Sequence, residues 1–572
     1  MEKSINRTSL LISCGETYSN DHDMTHTVTI CPIRHHLLKE KGINAYLLGN
    51  FGPLEKDGKK LDESLHETLE KCLHDEVSEN PSLKWAPLAI QQVKWRLSRY
   101  LWLKACFRNI VLTLKPHTVV LSSERDKDIL YAVKSVVNSC GISLTVAHGP
   151  LDQTTNILYL LAPYGLPTYT DPHWFVWLQW RFIKLFRKNI RNLYQPYWNL
   201  NDLFERRENY PFYLHRAVGL FGRVWRKILS ILQLPVSESI VELSIDIDET
   251  LPYVLTNSIW KDHFSKDEML LINSIMHRFV KHYPVHLLNK IERNIAITLS
   301  TLKPERIVLM QDGLDASRML AYGAHKKGIQ VDYLVHGIYW EDASGVKKDS
   351  PFLPDRIIAW NRFSHGKFME SGWPSVAAKH PYYQARPKAF KYLHKKWNSM
   401  KVLVLIPEWI LVSQAGREDC AIVDLIAILS SLCELGLSAK NIDVKYHQSV
   451  EFANELKEKA LIKLMSQSDL RFNILKSDLE TILLVPRYDL VITGLNSGIY
   501  EAILLGVPIV IYGLSPQRTG GISHFRLPYA RTDKELVKTL ENYDNEEVAH
   551  IYNRIADSLQ SGMSLYNNGY RE

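Results

Sequence analysis

The chain has 572 residues, 46% apolar and 23% charged, a globular composition with material for two to four domains and no low-complexity tract. Seven cysteines lie scattered without a CxxC pair or regular spacing, which excludes a zinc ribbon or a disulfide framework and fits a reducing compartment. The net charge of +7 is modest, and no apolar run reaches the roughly 20 residues that span a bilayer.

The N-terminal stretch MEKSINRTSLLISCGE has an apolar run too short for a signal-peptide core, so the chain is expected in the cytoplasm. DHDMTHT, near residue 21, sets Asp and His at ligand-like spacing but reads as a polar loop. No metal cluster is expected. Residues 113–149 and 301–337 form an internal repeat. TLKPHTVVLSSERDKDILYAVKSVVNSCGISLTVAHG aligns with TLKPERIVLMQDGLDASRMLAYGAHKKGIQVDYLVHG. Each copy reads as strand, acidic loop, helix, GI turn, strand and His-Gly. The alignment sets Glu124 against Asp312 and His148 against His336.

Between the copies, residues 172–232 are basic and aromatic. From Trp174 to Ser230, eleven Lys or Arg stand against three acids, and five of the fourteen tryptophans fall here. A helical insert is expected, with its aromatics at a headgroup boundary and its cations on anionic lipid. Aromatics packed inside a core are the alternative. Basic aromatic surfaces also bind single-stranded nucleic acid, but no nucleic-acid module accompanies this one, and no such partner is expected. Residues 340–398, rich in Pro, Trp and Tyr, read as a connector.

From Lys401 onward, strands and helices alternate. KVLVLIP, NIDVKYH, RFNILK, DLVITG and PIVIYG read as strands. Helices are expected over about 418–435, at VEFANELKEKALIKLM, at DLETILLVPRY, from Asn496, and lastly at DKELVKTLENY. Continuous apolar strands between helices predict a parallel sheet covered on both faces. Ligands of such sheets bind beyond the C-terminal strand ends.

GLNSG, residues 494–498, lies at such an end and opens a helix. Gly494 makes the turn, Asn496 or Ser497 caps the helix, and Gly498 lets a ligand approach the backbone. Glu501 can close a capping box or reach a ribose hydroxyl. A helix start suits a phosphate, although a capped helix with no ligand fits equally. His447, ending NIDVKYH, is expected to face the same crevice and to stabilise a departing phosphate.

DLVITGLNSGIYEAILLGVPIVIYG resembles the C-terminal nucleotide-binding segment of GT-B glycosyltransferases that build bacterial surface polysaccharides. The motif order is similar to that of bacterial sialyltransferases and Kdo transferases. Gln311-Asp312-Gly313, His447-Gln448 and Asn496-Ser497-Gly498 stand where those families carry acidic, His-Pro and Ser-rich motifs. Gln311 replaces an acid, Gln448 a proline and Asn496-Ser497 a serine pair. The His-Gly at 336–337 also resembles teichoic-acid glycerol-phosphate polymerases and some capsule transferases. The resemblance implies an α/β, GT-B-like fold of two Rossmann-like domains whose parallel sheets face across a cleft. Residues 1–395 would be the acceptor domain, carrying the repeat and the insert, and residues 396–572 the nucleotide-sugar domain.

It further implies a glycosyltransferase moving Kdo or a sialic-type nonulosonic acid from a CMP donor. The acceptor would be a lipid-linked O-antigen or capsule glycan, and the enzyme peripheral at the cytoplasmic face of the inner membrane. Asp312 would deprotonate the acceptor hydroxyl, a helix cap being its other possible role. Glu124 would join it, as in a retaining mechanism, if the two copies lie side by side in one sheet; a decayed first copy whose acid only caps a helix is the alternative. His336 can bind an acceptor or donor carboxylate and Arg417 a sugar carboxylate; both also suit plain loop positions. Neither cofactor nor metal is expected, since helix dipoles and basic side chains can stabilise the leaving phosphate. Two other readings stay open. One is a UDP- or GDP-sugar transferase, a glycerol-phosphate transferase or a non-hydrolysing epimerase. The other is a non-catalytic scaffold of polysaccharide assembly.

Overall fold

The computed structural model describes residues 9–13, 25–29, 35–36, 38–39, 41–52, 55–121, 127–146, 174, 177–178, 181, 192–194, 209–211, 254–255, 257–309, 315–335, 350–360, 362–370, 372–379, 388–394, 396–406, 420–446, 458, 461–462, 464–466, 468–475, 481–494, 496, 498–513, 526–560 and 563–564. Among these residues three sheets form, and every strand pair is parallel.

Strands β1 (Ser9–Ser13), β2 (His26–Thr29), β3 (Ala45–Leu47), β4 (Thr118–Leu121) and β5 (Ser143–Val146) form the first sheet, in the order β3-β2-β1-β4-β5. The second sheet takes β6 (Asn192–Tyr194), β7 (Asn209–Pro211), β8 (Arg306–Leu309), β9 (Gln330–Leu334), β10 (Arg356–Ala359) and β11 (Ser375–Lys379). The third takes β12 (Val402–Ile406), β13 (Ile442–Tyr446), β14 (Asn473–Leu475), β15 (Leu490–Thr493), β16 (Ile509–Tyr512) and β17 (Tyr529–Ala530), in the order β14-β13-β12-β15-β16-β17. A last strand, β18 (Met563–Ser564), joins the second sheet, whose order is β18-β11-β10-β9-β8-β6-β7.

The helices that position these strands are α1 (Glu55–Glu79), α2 (Ile90–Leu114), α3 (Lys127–Cys140), α4 (Lys266–His282), α5 (Val285–Leu302), α6 (Asp315–His325), α7 (Arg362–Glu370), α8 (Cys420–Glu434), α9 (Gly498–Leu505), α10 (Asp533–Glu541) and α11 (Asn545–Gln560). The expected α/β class with Rossmann-like parallel sheets holds, and the N-terminal part contributes two of them.

The repeat is a repeat of structure. Each copy ends a long helix on a left-handed lysine: Lys115 after α2 (φ 46°) and Lys303 after α5 (φ 50°). Each cap N–H reaches back one turn, to Val111 O and Leu299 O. A proline then prevents the helix from continuing. Each copy also turns on a glycine at φ +65°, Gly141 or Gly328, where an added Cβ would meet nothing, so backbone conformation alone asks for glycine. The copies do not lie side by side in one sheet. β4 and β5 belong to the first sheet, β8 and β9 to the second. The shared crevice that would have paired Glu124 with Asp312 is therefore not built that way.

Four other expectations change. Residues 340–398 are more than a connector: they supply β10, α7 and β11 to the second sheet. Residues 172–232 are not wholly helical, since β6 and β7 extend the second sheet at its edge. Pro211 ends that edge strand, the kind of position to which sheets confine proline. In DLETILLVPRY the described residues make one α-turn, Thr481–Leu484, followed at Pro486 by a 3-10 turn, Val485–Arg487. DKELVKTLENY is not the last helix. α11 follows, and β18 then pairs with β11 and returns the chain to the second sheet. From DHDMTHT, His26 opens β2, its Nδ1 2.9 Å from Asn44 Nδ2.

The third sheet is the most apolar. β12, β15 and β16 are buried along their whole length, as expected for strands covered on both faces. α9 is buried from Gly498 to Leu504. α11 is pinned to the same unit by the Tyr552 hydroxyl, which donates to Val507 O at 2.6 Å. Residues 388–391 run along the end of α9, with Lys388 N–H on Leu504 O and Lys391 N–H on Gly506 O.

Candidate nucleotide-binding site

The C-terminal edge of the third sheet is level across its central strands. Ile406 pairs with Tyr446 and Leu405 with Thr493, so β13, β12 and β15 end together. Thr493 pairs in turn with Ile511 of β16. Four of the sequence-derived site residues, Gly494, Asn496, Gly498 and Glu501, gather in the turn that leaves β15 and enters α9.

A polar staple holds that turn. The buried Thr493 hydroxyl lies 3.2 Å from Leu405 O and 3.0 Å from Gly494 O, both acceptors. It accepts from Asn496 Nδ2 at 2.6 Å. The other end of the Asn496 amide, Oδ1, accepts the Gly498 N–H at 2.8 Å. Asn496 O accepts the Ile499 N–H at 3.3 Å. One asparagine thus ties the strand end to the helix start and satisfies two of the donors a helix leaves open.

Gly498 has a different reason from the one expected. A Cβ there would sit 2.5 Å from Leu405 Cδ1 and 2.8 Å from Asn496 Oδ1. The space beside its backbone is filled by the protein's own strand β12 and cap, not left open for a ligand. With the Gly498 and Ile499 N–H groups already bonded, what this helix start offers an anion is chiefly the positive end of its dipole. Glu501, one turn in, is 9% exposed and lies in the first turn of a fully packed helix.

The sequence reading missed three residues here. Thr493 and Leu405 build the staple and the wall behind Gly498. A threonine ending an otherwise apolar strand, just before glycine, was the available signal for the first. The third is Asp424 of α8. Gly513, after β16, has φ +88°, and the space a Cβ would need there is occupied by the Asp424 carboxylate. Burial pushes the neighbouring Tyr512 phenol well up, and the charges of Asp424, Asp533 and Glu535 push it further.

Ser497, His447, Asp312, Glu124, His336 and Arg417 lie outside the described residues. Topology places their strands: β13, which precedes His447, is separated from β15 by β12 alone, whereas β8 and β9, which precede Asp312 and His336, end in the second sheet. Among the described residues, no group of three or more His, Cys, Asp or Glu is placed to hold a metal.

No protein-family model matches the chain, and no curated protein matches it. Solved structures resemble it distantly. A UDP-GlcNAc 2-epimerase from Neisseria meningitidis, bound to UDP-GlcNAc, is 12% identical; the match covers 65% of this chain and 94% of that one, with a TM-score of 0.34. The Methanocaldococcus jannaschii UDP-GlcNAc 2-epimerase, in complex with UDP-GlcNAc and UDP, is 16% identical over 47% and 80%, TM-score 0.31. MurG from Acinetobacter baumannii is 10% identical over 50% and 84%, TM-score 0.30. Likeness at this level carries no argument about activity.

Proposed function

We propose that the chain is a GT-B-type glycosyltransferase that binds a sugar nucleotide at the turn between β15 and α9. The supporting observation is the staple itself. Thr493, Asn496 and Gly498 hold a helix N-terminus rigidly at a C-terminal sheet edge, the place where open parallel sheets take ligands. Rigid placement is what a preorganised phosphate site requires.

In this reading the donor is a CMP-linked 2-keto sugar acid, Kdo or a sialic-type nonulosonic acid. The acceptor is a lipid-linked surface glycan, and the enzyme works peripherally at the cytoplasmic face of the inner membrane. No helix among the described residues is long and apolar enough to cross one. The bond between the anomeric carbon and the phosphate oxygen breaks, and the acceptor oxygen bonds to that carbon. Asp312 takes the acceptor proton. The electron pair leaves with CMP, whose phosphate rests at the positive end of α9 with His447 beside it.

Sugar transfer is tested with CMP-Kdo and CMP-sialic acid, following CMP release. Asp312→Asn is expected to lower kcat by at least about 100-fold while leaving CMP binding intact. Turnover with UDP- or GDP-sugars instead would establish the diphosphate-donor reading. Nucleotide binding without turnover, indifferent to Asp312→Asn, would establish the scaffold.

A further inference from the structure

An exposed apolar face lies far in sequence from the nucleotide turn. Residues 174, 177, 178 and 181 are helical and spaced three and four apart, so they share one side of a helix. Trp174 is 66% exposed, Trp177 46% and Leu178 52%. Arg181, also exposed, holds its guanidinium 5.1 Å from the centre of the Trp177 ring. Large apolar side chains left in water at this spacing imply something that covers them.

Beside this face runs a groove of about 610 Å³. Trp177 and Arg181 form one wall, and Ala296, Ile297, Ser300 and Lys303, at the C-terminal end of α5, the other. Ser300 and Lys303 are exposed. The groove is apolar at one part and cationic with a hydroxyl at another. A small soluble anion would meet the cations alone and not the apolar part of the groove. A bilayer supplies both halves of the match at once: an apolar layer for Trp174, Trp177 and Leu178, and phosphates for Arg181 and Lys303. The segment's charge points the same way, eleven Lys or Arg against three acids from Trp174 to Ser230.

We propose that the 174–181 face and the groove against α5 dock on an anionic phospholipid bilayer, with Arg181 and Lys303 meeting lipid phosphate. This deepens the acceptor side of the proposed function and rests on it only for what the membrane delivers.

The test is co-sedimentation of the full chain with vesicles, without nucleotide, so that it can fail or succeed apart from the donor site. Binding is expected to vesicles of phosphatidylcholine with phosphatidylglycerol, to weaken in high salt, and to be weak on phosphatidylcholine alone. Arg181→Glu and Trp177→Ala are each expected to weaken it by about tenfold or more. Both positions are exposed, and an unchanged thermal midpoint would show that the variants fold. Absence of binding, equal binding to neutral vesicles, or full binding by both variants would overturn the proposal. A dimer that dissociates in Trp177→Ala, with no vesicle binding by wild type, would also overturn it and give the face to a second copy of the chain.

Discussion

Asn496 leaves no room for a side chain at residue 498. The Asn496 Oδ1 that accepts the Gly498 N–H at 2.8 Å also stands 2.8 Å from where a Gly498 Cβ would be. The same contact that caps the helix forbids a side chain at its first residue.

Gly498→Ala is therefore expected to destabilise the chain by about 1–3 kcal/mol, the usual cost of overpacking. Leu405 Cδ1 is the other obstacle, and it is the flexible end of a side chain. In a double-mutant cycle with Leu405→Ala, the pair should be less destabilised than the sum of the singles, by about 1 kcal/mol or more. Additive effects, measured from denaturant midpoints, would show that the wall is not Leu405.

Asn496→Ala removes the cap and is expected to cost about 1 kcal/mol. Thr493→Val removes the hydroxyl but leaves the Asn496 Nδ2 donor without that acceptor, for a cost of about 1–3 kcal/mol. The double variant should cost much less than both together, because both break one staple. Urea titration of the four proteins checks this.

Asp332 of β9 is 0% exposed and bridges the first residues of its two neighbouring strands. Arg356 donates to it through Nε at 3.1 Å and Nη2 at 3.0 Å, and Arg306 Nε stands 3.2 Å away. Asp332→Ala removes this carboxylate from two largely buried guanidinium groups. Loss of about 3–5 kcal/mol is expected, read as a large drop in thermal midpoint or as insoluble protein.

Glu292 of α5 receives Lys84 at 3.3 Å and Lys326, just past the end of α6. Burial raises its carboxyl, but the bonds and charges of Lys326 and Lys84 outweigh this and hold it below its ordinary value of 4.5. A depressed carboxyl stabilises the fold above its unfolded pKa, and that contribution is lost as pH falls through the folded value. Lys326 is raised above 10.5, chiefly by its bond to Glu292, so its contribution is complete below 10.5 and lost above it. Glu292→Gln should thus narrow its gap in midpoint from wild type below pH 4.5. A gap constant across that range would remove the ion pair from the account of acid stability.

The third sheet was legible because its strands are unbroken apolar runs, such as VLVLI in β12. β6 and β7, three residues each, carry no readable period. β10 and β11 were hidden among Pro, Trp and Tyr that suggested a connector. Which sheet each repeat copy joins could not be read either, because parallel pairing is fixed by distant strands and not by local pattern. The glycine at 498 was visible, but not its reason: the Leu405 that fills its space is remote in sequence and adjacent only through the pairing of β12 with β15. Asp424 was missed on the same ground, as it meets Gly513 only across the folded sheet edge.

The most direct measurement is the thermal midpoint of the full chain with CMP, CDP, UDP and GDP, in wild type and in Asn496→Ala, since a ligand that binds only the native state must stabilise it, by about 2.7 kcal/mol at 100 times its Kd. The expected result is a rise with CMP in wild type that is largely lost in Asn496→Ala. No rise with any nucleotide, or a rise of equal size in the variant, would contradict a nucleotide site built on the turn between β15 and α9.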